Sequence, residues 1–208
     1  MVKIHKIQGD IDSEIVKSLK GSIAIDTEAT GLQIPERDKL SLIQICSQNG
    51  DVYIIQPNRK DYKAPNLVSI LENNKIQKIG HFLRFDKNSL EFFLKCKIKN
   101  FFDTKIASKI VRTYTDAHGL KNLVQEFCNK SLDKRHGSSD WNRDINDLSD
   151  KQLEYAANDV IYLHKIKNEL EKMLIRENRM DLYLRCVEFL DTRIELDQNG
   201  FKFDIFEH

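Results

Sequence analysis

The stretch that decides the fold is Ser22-Ile-Ala-Ile-Asp26-Thr-Glu28-Ala-Thr30-Gly31-Leu32. Gly21 precedes it and Gly31 interrupts it, so the apolar run Ile23 to Ile25 is predicted to be a short strand ending in a turn. Alternate residues of a strand share a face, so Asp26 and Glu28 project together at the strand end. Two carboxylates held side by side repel unless a cation or a proton intervenes. A strand-end acidic pair facing solvent is the plainer alternative, and the pair alone does not choose between them.

Working outward, Asp12 to Lys20 has helical spacing, with Ile11, Ile15, Val16 and Leu19 apolar. Leu40 to Cys46 and Val52 to Gln56 read as strands joined through Gln48-Asn-Gly-Asp51, a hairpin signal. Asn66 to Glu72 is a short helix, Ile76 to His81 a fourth strand, Phe85 to Leu94 a helix and Phe101 to Asp103 a fifth strand. From Thr104 onward the pattern is helical. Ile106, Ile110 and Val111 form one apolar stripe, and Leu120, Leu123, Val124 and Phe127 another. Ser149 to Leu174 is the longest helical run, opened by Ser149 with Gln152 three residues on, a capping box. A last helix covers Asp181 to Leu196, and a short aromatic tail runs from Asn199 to His208. The sum is α/β: a mixed five-stranded sheet flanked by helices, with a helical C-terminal half.

The 208 residues fit one domain. The balance of 33 Lys+Arg against 32 Asp+Glu, net +1, excludes a protein that coats long nucleic acid through bulk charge, though not a local basic face. No stretch is long and apolar enough to span a membrane. Met1 to Asp10 alternates polar and apolar residues and lacks the apolar core of a signal peptide. Cys46, Cys96, Cys128 and Cys186 are scattered without a C-x-x-C pair, which reads as reduced thiols in a cytoplasmic protein.

Two further candidates lie outside the first stretch. Tyr155 and Asp159 are four apart in a helical pattern and share a face, with the small Ala156 and Ala157 between them. Asp86 follows a strand and opens a helix, where an acid is also favoured by the helix dipole. Asp26, Glu28, Asp86 and Asp159 together offer an oxygen-rich set suited to Mg²⁺ or Mn²⁺. Two such ions can stabilise the attacking and leaving oxygens of a phosphodiester, and a nearby tyrosine can orient the attacking water.

The order and local sequence of these residues resemble a known family. Ile25-Asp26-Thr27-Glu28 with Thr30-Gly31-Leu32, then Gly80-His81 with Phe85-Asp86 and Leu90, then Tyr155-Ala-Ala-Asn-Asp159 are similar to the three motifs of the DEDDy 3′→5′ exonucleases, the ribonuclease D-like group. The motifs span residues 22–165. Lys134 and Ser139-Asp140-Trp141 resemble a ribonuclease D element before the third motif, but Asn142-Arg143-Asp144-Ile145 departs from the Arg-Pro-Leu that usually follows. Only a helix and tail, residues 175–208, follow the motifs. Thr104 to Asp116, His118 to Lys121 and the ending Asp204 to His208 look like the short bacterial nano-RNase C type.

That resemblance implies an RNase H-like fold, a single exonuclease domain over 1–208 and a ring-like homo-octamer. It also implies two divalent metal ions held by Asp26, Glu28, Asp86 and Asp159, with Asp26 the bridging ligand. Tyr155 would position, and could deprotonate, the attacking water. The substrate would be very short RNA such as dinucleotides, with release of nucleoside 5′-monophosphates. Thr27 and His81 would lie near the substrate, and Leu32 would be the wedge against its terminal bases. Residues 78–121 carry ten cations against four acids, and Arg112, Tyr114, His118 and Lys121 cluster beside a turn. They are candidate phosphate contacts, joined by Lys134 and Trp141 from the resemblance; a solvated helical face is the alternative for the segment. The competing functions are a broader ribonuclease D-like exonuclease on longer RNA or DNA, and a catalytically silent RNA-binding module.

Overall fold

The computed structural model describes residues 2–31, 33–34, 37–132, 140–201 and 203–207. In chain order the elements are β1 (Ile4–Gln8), α1 (Ser13–Ser18), β2 (Ser22–Ala29), β3 (Leu40–Ser47), β4 (Val52–Gln56), α2 (Pro65–Leu71), β5 (Gln77–Gly80), α3 (Leu83–Leu94) and β6 (Phe101–Asp103). Helices α4 (Thr104–Val111), α5 (Leu120–Cys128), α6 (Asp150–Ile161), α7 (Leu163–Arg176) and α8 (Met180–Gln198) follow. The strands form one sheet in the order β1-β4-β3-β2-β5-β6. β3 runs antiparallel to both neighbours, and the other pairings are parallel.

The period-2 pattern of the central strands sorts two apolar layers. Ala24, Leu42, Cys46, Val52 and Ile54 face α5, α6 and α7. Ile23, Ile25, Ile43, Ile45 and Ile55 face α1, α2, α3 and the end of α8. The sheet is therefore covered on both sides. No helix among the described residues is long and apolar enough to cross a membrane.

Two expectations are corrected. The sheet has six strands rather than five: β1, at the edge, pairs in parallel with β4 from Ile4↔Val52 to Gln8↔Gln56. Its Ile-His-Lys-Ile-Gln is half exposed and spaces its two isoleucines three apart, and its partner is distant in sequence. The long run from Ser149 is two helices broken at Tyr162. The break lets α6 pack across β2, β3 and β4 while α7 packs on α4 and α5. The capping box at Ser149 and Gln152 forms in full.

Candidate active site

Three elements converge at the C-terminal end of β2. Asp26 and Glu28 come from β2 itself, on the face that carries Ala24. A register shift between Glu28 and Ala29 marks a bulge in the β2–β3 ladder, which re-aims the side chains beside it. Asp159 and Tyr155 come from α6, one turn apart, where buried Ala156 and Ala157 let the helix lie close to the sheet. Carboxylate oxygens of Asp26, Glu28 and Asp159 all lie within 4.8 Å of one another.

Asp86 joins from α3. Its Oδ1 accepts a 2.6 Å hydrogen bond from the Thr27 hydroxyl. The start of α3 is itself pinned. Asp103, buried, accepts from the N–H groups of Phe82 (3.3 Å) and Leu83 (2.7 Å), and also from Lys105 (2.8 Å) and Ile106 (3.0 Å) at the start of α4. Phe82 enters the helix from the left-handed region, φ 67°. Gly80 leaves β5 so tightly that a Cβ there would sit 2.2 Å from Leu83 Cδ2.

The electrostatics follow from crowding acids in a dry place. Burial, then the neighbouring carboxylates Asp86, Asp159 and Glu28, hold the Asp26 carboxyl well above its ordinary range. Burial and the charges of Asp159 and Asp86 push Glu28 up to about 8. Burial pushes Asp86 up to about 7, against the opposing bond from Thr27. The Tyr155 phenol is also raised, by burial and then by Asp159, Glu28 and Asp26. Such a cluster is stabilised by protons or by cations. Its hard oxygen donors suit a divalent ion of the Mg²⁺ type.

The indole of Trp141 is buried and packs on Tyr155, ring centroids 6.1 Å apart. It lies in the core layer and backs the tyrosine. Thr27 is likewise turned to Asp86, not outward. His81 Nδ1 lies 2.9 Å from the Thr104 hydroxyl, which donates at 3.0 Å to the Gly80 carbonyl. That hydroxyl has only one proton, so His81 donates from Nδ1.

The expected phosphate cluster divides. Arg112 is 1% exposed. Its guanidinium is held by Glu126, by Ser108 Oγ at 3.0 Å and by the Ala117 carbonyl at 2.8 Å, which makes it an internal strut in this structure. Tyr114 is exposed and donates to Glu126 at 2.9 Å. His118 Nδ1 lies 2.9 Å from Ser108 Oγ, and Lys121 is exposed on α5. Lys78 and Lys87 of the same basic segment are buried too. Lys78 donates to the carbonyls of Asn73 and Ile76, and Lys87 pairs with Glu91 and Asp191. Three of the segment's ten cations are thus internal. Leu32 and Lys134 lie outside the described residues. Asp103 was missed as a positioning residue, although an acid directly before a helix is a readable cap signal.

Known proteins are similar to this chain in sequence and fold. A model of the 3′-5′ exonuclease family matches residues 8–175. The chain is 42% identical to Brucella melitensis NrnC in a structure with bound pGG, over the full length of both chains, with a TM-score of 0.92. A structure of that protein with bound Mg²⁺ matches equally fully, with a TM-score of 0.90. DNA polymerase I of Aquifex aeolicus is 34% identical over 86% of this chain, and a ribonuclease D of Gluconacetobacter diazotrophicus 30% over 76%. The chain spans only 28% and 39% of the lengths of those two curated relatives. With a family model covering most of its length and the acidic residues of β2, α3 and α6 gathered at one strand end, the chain belongs to the 3′-5′ exonuclease family.

Proposed function

We propose that this protein is a metal-dependent 3′→5′ exoribonuclease that acts on very short RNA, down to dinucleotides, and releases nucleoside 5′-monophosphates. The observation that carries the reading is the acidic cluster of Asp26, Glu28 and Asp159, within 4.8 Å, in a chain similar over its full length to a protein solved with pGG. On this reading Asp26, Glu28, Asp86 and Asp159 hold two divalent ions, Mg²⁺ or Mn²⁺. When bound, the ions supply charge stabilisation at the attacking and leaving oxygens of the phosphodiester.

The chain's own residues do the rest. Tyr155, one helical turn from Asp159 on α6, positions the attacking water and can take part in its deprotonation. Trp141 fixes the tyrosine ring from behind. Thr27 fixes Asp86, and Asp103 fixes the helix that carries it. His81, beside Thr104, faces the sugar or phosphate, and Tyr114, His118 and Lys121 remain the candidates for outer phosphate contacts. We also propose a homo-oligomer. Phe203 and Phe206, exposed by 64% and 76%, gather with Phe189, Phe201 and Ile205 near the C-terminus, an apolar surface suited to a second copy.

The test is a ladder of 5′-phosphorylated RNAs from dimer to decamer, cleaved with Mg²⁺ or Mn²⁺ and with EDTA. The expected result is steeply fastest cleavage of the dimer, loss in EDTA and recovery with Mn²⁺. Equal rates at every length would return the protein to a general ribonuclease D-like exonuclease, and activity in EDTA would end the metal reading. For the oligomer, light scattering on a sizing column should give a mass several times 24.3 kDa; a monomer at all concentrations would overturn that part.

A further inference from the structure

Gln44 has no explanation in the fold. It lies in the middle of β3 with 0% exposure, and neither Nε2 nor Oε1 has a hydrogen-bond partner. A buried amide with both ends unmade is costly, and a leucine of similar size would avoid the cost. Along its own strand and toward β4 its neighbours on the sheet are apolar. Leu42 and Cys46, on the same face of β3, belong to the layer under α6, and Gln44 pairs on the β4 side with Ile54. On the β2 side it pairs directly with Asp26. Residues opposed across a ladder point to the same face with Cβ atoms about 4.5–5.5 Å apart, so the longer Gln44 side chain can reach the Asp26 carboxylate by a rotamer change.

We propose that Gln44 is a positioning residue for the metal-ligating carboxylate of Asp26, donating from Nε2 to the carboxylate when the acidic cluster holds its cations. The inference rests on the metal-dependent reading above and deepens it. A carboxylate that shares a cation needs an outer partner to hold its plane, and such partners commonly change metal affinity by 10–100-fold.

The experiment is Mn²⁺ titration calorimetry on wild type, Gln44→Met and a packing control, Leu42→Met, with the melting temperature of each metal-free protein. Met keeps the volume of both side chains while removing only the amide in the first. We expect Gln44→Met to bind Mn²⁺ about 10–100-fold more weakly. Its metal-free melting temperature should equal or exceed that of wild type, and Leu42→Met should bind as wild type does. Unchanged Mn²⁺ affinity in Gln44→Met overturns the proposal. So does an equal loss in Leu42→Met, which would make the effect one of packing. So does a Gln44→Met protein that no longer folds, since the amide would then serve the fold and not Asp26. If wild type itself binds no Mn²⁺, the metal-dependent reading fails first, and that outcome is separate from the other three.

Discussion

The Thr27 hydroxyl donates at 2.6 Å to Asp86, so the residue between the two acids of β2 reaches the acid of α3. Asp26 and Glu28 point to one face of the strand and Thr27 to the other, and the helix is tied to the strand at the point where the acids meet. Replacing Thr27 with valine keeps the shape and removes the donor. Asp86 then loses the bond that opposes its upward shift, so cleavage should fall at neutral pH and recover in part as pH rises. Leaving a buried acceptor unsatisfied should also lower stability by about 1–3 kcal/mol. Denaturant unfolding and a pH–rate profile read the two effects separately.

Asp26→Asn and Asp159→Asn should each abolish cleavage while leaving the metal-free fold as stable as wild type or more so. Each removes one ionisable carboxyl from a crowded, buried group of acids. Melting temperatures in EDTA and turnover in Mn²⁺ check this, and a mutant with near-normal turnover would remove that residue from the site.

Metal-free stability should fall as pH rises through the neutral range. Glu28 is raised from 4.5 to about 8 and Asp86 from 3.8 to about 7 in the folded protein. A carboxyl that holds its proton more tightly when folded favours folding while protonated. Its contribution is complete below the ordinary carboxyl range and is lost through about 7 to 8. Mn²⁺ competes with those protons, so its stabilising effect should grow over the same interval. Thermal melts at a series of pH values, with EDTA and with Mn²⁺, should show the two curves diverging; parallel curves would contradict it.

Tyr155→Phe should lose about 10²–10⁴-fold in turnover, the range for a positioned proton-bearing group, with Mn²⁺ binding intact. Trp141→Ala should weaken turnover and stability together, with about 3–5 kcal/mol lost for a large buried aromatic. Single-turnover rates beside Mn²⁺ titrations separate the two residues.

Arg112→Met tests whether that arginine is an internal strut or a phosphate contact. As an internal strut its loss leaves Ser108 and the Ala117 carbonyl short of a donor, and stability should fall by about 1–3 kcal/mol. A selective rise in KM with no change in melting temperature would restore the phosphate-contact reading.

What could be read from the chain was whatever local pattern decides. The apolar run before Asp26, the Ser149 capping box and the four-residue spacing of Tyr155 and Asp159 each act over a turn or a strand, and each is present. β1 escaped because its pairing with β4 is non-local and its own side chains are half exposed. Arg112, Lys78 and Lys87 looked like surface charge because composition counts cations without their partners. Glu126, the carbonyls of Asn73 and Ile76, and Asp191 become their neighbours only in the folded chain. The bond from Thr27 to Asp86 was not legible, since only the packing of α3 shows that its hydroxyl has an acid within reach.

The carboxyls of the cluster are drawn from β2 and α6, with Asp86 of α3 tied alongside through Thr27, so an ion shared among them joins points as far apart in the chain as residues 26 and 159. Such an ion acts as a reversible cross-link. It closes a long loop, and the closure must be undone before the sheet and α6 can separate. The loaded protein should therefore last longer against proteases than its equilibrium stability alone suggests. Its lifetime in the cell would then follow the free divalent-ion level, and a proteolysis half-life lengthened by Mn²⁺ in wild type but not in Asp159→Asn would measure that dependence.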